Sequence, residues 1–276
     1  MGALRTARDV LRPMIDGPLE YRLRRSAGRL MPALDQTGPP HLFHACVWKT
    51  ASQWVRLILS DPRLLRYGGH APFIWAHLRD DPGEARAYRA AHRSLLLTGY
   101  GTPEMLLGQR DGPMRGVFVI RDPRALLASW ITSTRYTHRP NPSVLAHRAV
   151  MSEMTEEGAL SYAARAFVTE FAPVLDGWAQ VGADTQVVRF EDLTGADGED
   201  AWRRLLDHLG LAVPGAVLAR VLRTYRIEAL AGTGSSKAEA DKYALRGKRG
   251  AGVEDLPPDP AVAEPLQRWM HAYGYG

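Results

Sequence analysis

One cysteine in 276 residues, Cys46, leaves no pair for an intrachain disulfide. It lies inside the apolar run Leu42 to Val47, where a lone cysteine serves as core filler rather than as a nucleophile. No stretch of about 18 apolar residues occurs, so no membrane-spanning helix is expected. The N-terminus lacks the charged, apolar and small-residue order of a secretory signal. The expectation is a soluble, cytoplasmic protein. Metal-ligand spacing is missing as well: His41 and His44 stand three apart in a strand-like run and so point to opposite faces. No metal is expected, and there are no internal repeats. Distributed positive charge is also scarce. The net charge is +5, and residues 1–30 hold seven arginines against Asp9, Asp16 and Glu20, which accounts for four of those five charges. A near-neutral remainder excludes a nucleic-acid face across the domain.

What is present divides into an arm and a domain. Residues 1–38 read as a basic amphipathic helical arm, with Leu4, Val10, Leu11, Ile15, Leu19 and Leu23 set among the arginines and breaks near Pro13 and Gly17-Pro18. Such an arm packs on the flank of a domain, or contacts an anionic membrane surface or an acidic partner. Residues 39–276, with 45% hydrophobic content over the chain, suffice for one large α/β domain.

The organising stretch is His41 to Leu59. The run Leu42–Val47 suits a central strand, while Trp54, Val55, Ile58 and Leu59 form one apolar helix face. Between them Lys49-Thr50-Ala51-Ser52-Gln53 gathers a positive charge, hydroxyls and helix N–H donors into an anion site. It is not a Walker A loop, because it contains no glycine. Further along, a glycine- and aromatic-rich segment from Tyr67 to Trp75 reads as a loop. A helix is expected from Asp80 to about His92, and strands at Ser94–Thr98, Gly116–Ile120 and Gln186–Phe190. Residues 143–180 are helical in pattern, with Pro173 as a break or a helix start, and helices are expected at about 198–209 and 214–229. Alternation of strand and helix predicts a single α/β domain with a central parallel sheet flanked by helices.

Four segments together resemble the nucleotide-dependent sulfotransferases. That family carries a strand, then Pro-Lys-Ser-Gly-Thr-Thr-Trp, then a helix; here Trp48-Lys49-Thr50-Ala51-Ser52-Gln53-Trp54 keeps the lysine and tryptophan in register, with Ala51 in place of glycine. The second motif is a strand, an arginine, and a helix bearing serine eight residues on, matched by Arg121 and Ser129. Phe190-Glu191-Asp192-Leu193 is similar to Tyr-Glu-Asp-Leu. Arg246-Gly247 with Gly250 is similar to the late glycine loop that closes over the nucleotide, without its tryptophan. The resemblance implies 3′-phosphoadenosine 5′-phosphosulfate (PAPS) as co-substrate and 3′-phosphoadenosine 5′-phosphate (PAP) as product. It implies Lys49 at the bridging oxygen and Thr50, Ala51, Ser52 and Gln53 around the 5′-phosphate. It further implies Trp54 beside the adenine, Phe190 among the cofactor-binding residues, Arg121 and Ser129 on the 3′-phosphate, and Arg246 and Gly247 closing over the nucleotide.

The reaction also needs a base for the acceptor hydroxyl. Where cytosolic members place Lys-Thr-His, this chain has Leu97-Thr98-Gly99, so that histidine is gone. His70 stands in the segment after the first helix, where carbohydrate-type members place a glutamate; an imidazole there suits proton transfer near neutrality. His77, His92, Tyr100 and Glu104 are rivals. The expected acceptor is a hydroxyl on a small natural product, lipid or sugar, held in the segments 65–80 and 133–160, with Tyr67, Phe73, Trp75, Tyr136 and Met151 as an apolar wall. Two other readings stay open: a P-loop-type kinase, and a non-catalytic nucleotide-binding relative of the sulfotransferases.

Overall fold

The structure is a computed structural model that describes residues 38–138, 140–225 and 259–276. The apolar run at its centre is strand β1 (His41–Cys46), buried at every position. Helix α1 (Ser52–Leu59) and the short α2 (Pro62–Leu65) follow, then strand β2 (Ala71–Ile74) and helices α3 (Trp75–Asp80) and α4 (Pro82–Ala90). Strand β3 (Ser94–Gly99), α5 (Pro103–Leu107), strand β4 (Arg115–Ile120) and α6 (Pro123–Thr132) continue the alternation, and α6 runs on as a π-helical turn, Ser133–Thr137. Helices α7 (Pro142–Ser152) and α8 (Glu156–Trp178) precede strand β5 (Thr185–Arg189). Helices α9 (Phe190–Thr194), α10 (Gly198–His208), α11 (Gly215–Thr224) and α12 (Pro260–Ala272) complete the described residues.

The five strands form one sheet in the order β2-β3-β1-β4-β5, and every neighbouring pair is parallel. Parallel strands covered on both faces carry apolar residues on both. Along β1, Phe43 and Ala45 face one core and Leu42 the other, as the two-residue period of a strand requires. On the first face Trp178 of α8 stacks on Phe118 at 5.2 Å and tilts against Phe43 at 5.6 Å. Gly116 of β4 is needed there, since a Cβ would lie 2.4 Å from the Phe43 ring. The opposite face is closed by α1, whose Trp54, Val55, Ile58 and Leu59 are all buried as the helical spacing predicted.

Two local expectations are corrected. Residues 67–75 are not all loop: Ala71–Ile74 forms β2, in register with Ser94–Leu97. Pro72 argues against a central strand, but β2 is an edge strand, where a missing N–H leaves no gap in the ladder. Pro173 neither breaks nor starts a helix; it lies inside the 23-residue α8.

After β1 the chain moves to one side of the sheet, and β4 lies on the other. The strand order therefore reverses between β1 and β4. In open parallel sheets the crevice beyond the carboxyl ends at such a point is where ligands bind.

Candidate active site

The turn leaving β1 enters that crevice. Lys49 and Ala51 both adopt left-handed backbone, with φ of 75° and 53°. A side-chain-bearing residue pays about 1–2 kcal/mol for that conformation, so the turn holds left-handed backbone, which glycine would adopt without strain, at two residues that carry side chains. Thr50 braces it, its hydroxyl donating to the Val47 carbonyl at 2.8 Å. The turn delivers the chain into α1, whose N-terminus has no side-chain cap. Left-handed residues in such a turn face backbone N–H groups inward and make an anion-binding concavity.

The side chains of the turn are held from two sides. Lys49 Nζ donates to Ser133 Oγ at 3.3 Å, in the π-helical turn after α6. Ser52 Oγ and the Tyr100 hydroxyl share a hydrogen bond of 2.5 Å at the end of β3. Burial pushes the Tyr100 phenol well above its ordinary range, so Tyr100 serves as a neutral hydrogen-bonding group. Burial likewise raises the Cys46 thiol, which leaves it unreactive.

Beside the turn, β4 ends at Ile120 and releases Arg121. Asp122 caps α6, its carboxylate accepting from Arg124 N at 2.8 Å, and Pro123 takes the first helical position. The Arg121 guanidinium lies 5.8 Å over the Phe190 ring. Phe190 meets Trp54 edge-on at 6.2 Å, and Trp54 meets Trp202 at 5.5 Å while donating to the Tyr225 carbonyl. Residues from three separate motifs, Trp54, Arg121 and Phe190, thus form one contiguous wall. Glu191 joins it: one oxygen accepts from Asp122 N at 3.2 Å and the other from the Tyr275 hydroxyl at 2.6 Å. Ser129 is half-buried on α6, one turn before Ser133, and it is Ser133 that meets Lys49. Gln53 is exposed.

On the other side of the turn is a cleft of about 220 Å³. Trp48, Trp75, Tyr100 and Phe171 supply its aromatic walls, and Arg79 and Glu170 its charged groups. Trp48 is the common wall, with Tyr100 at 6.3 Å, Phe171 at 6.4 Å and His138 stacked on it at 5.7 Å. Of the residues expected to line an acceptor pocket only Trp75 does so. Phe73 and Met151 are core residues, Tyr136 is exposed, and Tyr67 lies under Arg66 away from the cleft.

His70 is not brought to this site. It immediately precedes β2, at the amino-terminal edge of the sheet, whereas Lys49 lies beyond the carboxyl end of β1. Six strand residues at about 3.3 Å each put roughly 20 Å between the two edges. His70 is buried, with Nε2 2.8 Å from the Pro39 carbonyl and Arg93 alongside. Burial, against the opposing pull of that carbonyl and with a further push from Arg93, lowers its pKa to about 4. Its assignment as the base is therefore corrected on position: a spacing counted along the chain could not reveal that this segment doubles back to start a strand. His92 is exposed near the same edge, two residues before β3, and Glu104 is exposed in the first turn of α5. His77 is half-buried on α3. Ser133, His138, Glu170 and its partner His147 were not found from sequence; none belongs to a motif, and only the packing of α7 on α8 and on the π-helical turn, with Phe171 of α8 against Trp48, brings them together. Arg246, Gly247 and the arm of residues 1–37 lie outside the described residues.

Among the described residues no group of three or more His, Cys, Asp or Glu side chains could hold a metal ion, and no helix is long and apolar enough to cross a membrane. No protein-family model matches the sequence, and no curated protein is similar to it in sequence. Similarity is found among solved structures. A crystal structure of mouse sulfotransferase SULT7A1 complexed with PAP aligns with a TM-score of 0.53 at 12% identity, over 77% of this chain and 72% of that one. At that identity the likeness is one of fold, and with five parallel strands covered by helices the chain has a sulfotransferase-like α/β fold.

Proposed function

We propose that the protein is a sulfotransferase that moves a sulfuryl group from PAPS to a hydroxyl of a small natural product, lipid or carbohydrate. The observation that carries this reading is the pairing across the strand-order reversal: Lys49 on a left-handed turn at the end of β1, and at the end of the neighbouring β4 Arg121, which lies over Phe190, itself packed on Trp54. Two anionic groups joined by a nucleoside match that arrangement. The turn and the N-terminus of α1 suit a 5′-phosphosulfate, and Arg121 suits a second phosphate. Phe190, with Trp54 packed edge-on behind it, offers an aromatic surface for the base.

In this reading Lys49 places its ammonium where charge grows on the oxygen leaving sulfur, and stabilising such charge commonly contributes more to catalysis than any other single effect. Thr50 and Ser52 hold the turn, and the cleft beyond Trp48 receives the acceptor. The discriminating experiment is calorimetric titration with PAP and with ATP. PAP is expected to bind at least tenfold more tightly, because only PAP offers a 3′-phosphate to Arg121. Tighter binding of ATP would favour a kinase and overturn the proposal. PAP binding without sulfation of any hydroxyl compound would leave a nucleotide-binding relative without the chemistry.

A further inference from the structure

Glu170 lines the aromatic cleft and is anchored from behind. Its Oε1 lies 2.5 Å from His147 Nε2, and His147 Nδ1 lies 3.0 Å from the Tyr162 hydroxyl. Trp130 packs edge-on against the His147 ring at 5.5 Å. The chain of bonds is satisfied when Tyr162 donates to Nδ1 and Nε2–H donates to the carboxylate. The His147 side chain is 13% exposed and that of Glu170 36%, so the chain runs from a shielded interior to an open end. Among the described residues no protein group bonds Oε2. Phe171, the next residue on α8, touches Trp48, which is the neighbour of Lys49 in sequence.

Resting on the sulfotransferase reading above, we propose that Glu170 is the base that takes the acceptor's proton and that His147 is the positioning residue that holds it. The acceptor hydroxyl gives its proton to the Glu170 carboxylate while its oxygen forms a bond to sulfur. The bond between sulfur and the bridging oxygen breaks, its electron pair staying on that oxygen, which leaves as part of PAP beside Lys49. One proton, one bond made and one bond broken balance the step, with no metal or redox partner. The other candidates fit this role less well. His70 and His92 are at the wrong edge of the sheet, Tyr100 is held protonated by burial, and His138 lies flat against Trp48. The aromatic walls assign the acceptor to flat, apolar alcohols and phenols.

The test uses the full chain with PAPS and two probe acceptors, 2-naphthol and 2-naphthylmethanol, alongside PAP affinity by calorimetry. Glu170→Gln is expected to lower kcat for 2-naphthylmethanol by about 10²–10⁴, the usual worth of a general base. The loss for 2-naphthol should be smaller, because a phenol yields its proton more readily, and the Kd of PAP should stay within about twofold. His147→Ala should lower kcat by about tenfold with KM unchanged, and His147→Gln, which keeps a donor for the carboxylate, should restore most of it. An unchanged kcat in Glu170→Gln overturns the proposal, and a large loss in His138→Ala instead would hand the role to that residue. Equal loss of PAP affinity and turnover in Glu170→Gln also overturns it, by making the residue structural. Wild-type protein that binds PAP yet sulfates neither probe refutes the assignment of this cleft. Wild-type protein that does not bind PAP is the separate failure of the sulfotransferase reading.

Discussion

Lys49 and Arg121 carry the two cationic groups at neighbouring strand ends, and they are expected to fail in different ways when removed. If Lys49 meets charge that develops only as the sulfur–oxygen bond breaks, Lys49→Ala lowers sulfuryl transfer by on the order of 10² or more. PAP affinity should fall much less. Loss of affinity and turnover in equal proportion would reduce Lys49 to a phosphate clamp. Arg121 is different because its proposed partner is present in substrate and product alike. Arg121→Ala is expected to weaken PAP binding by about 1.5–3 kcal/mol, the range for a charge-assisted hydrogen bond. Binding of adenosine 5′-phosphosulfate, which has no 3′-phosphate, should barely change. The Phe190 ring lies 5.8 Å beneath the guanidinium and limits where it can go, so Phe190→Ala should give a milder version of the same selectivity loss.

The turn between β1 and α1 shows an element holding a conformation that its sequence does not favour. Ala51 at φ 53° stands where glycine would sit without strain. Ala51→Gly relieves about 1–2 kcal/mol of left-handed strain and costs about 0.5–1 kcal/mol in unfolded-chain entropy. The expected outcome is a urea midpoint equal to or slightly above that of the parent, with PAP affinity retained. Ala51→Val places a β-branched residue in the same conformation and should lower both. The same turn shows what could be read in advance. The strand, the lysine and the helix face were legible because apolar periodicity and short-range chemistry are local. The left-handed path was not, since no glycine announced it. Edge strand β2 was missed because Pro72 and the flanking Gly68-Gly69 imitate a loop, and its strand character comes only from pairing with β3. The cleft stayed hidden for a related reason. Glu170 and His147 sit 23 residues apart on two helices, and nothing in the spacing states that those helices cross beside Trp48.

Over the whole molecule, the sheet buries imidazoles in its interior and at its amino-terminal edge, and this couples folding to pH. His44 is fully buried in β1, with Arg56 nearby; burial first and that charge second lower its pKa to about 3. His70 is lowered to about 4, and His41 is shifted the same way, chiefly by burial and then by Arg110 and Arg93. An unfolded chain would titrate these groups near 6.5. Between 6.5 and the folded values the unfolded state binds more protons than the native one, so stability must fall as pH falls through that window. The neutral imidazoles cost nothing above pH 6.5, and the loss begins below it. At pH 5 the shifts of His44 and His70 amount to roughly 2 kcal/mol each, a large share of a typical 5–15 kcal/mol. Urea midpoints measured from pH 8 to 4.5 are therefore expected to stay level down to about 6.5 and then decline steeply. In His44→Leu, which fills the core position without a titrating group, the decline over the same range should shrink but not vanish, because His70 and His41 still titrate, whatever the variant's stability at pH 8. A decline equal to that of the parent would show that His44 is not held neutral by the fold, and that the acid sensitivity comes from the amino-terminal edge alone.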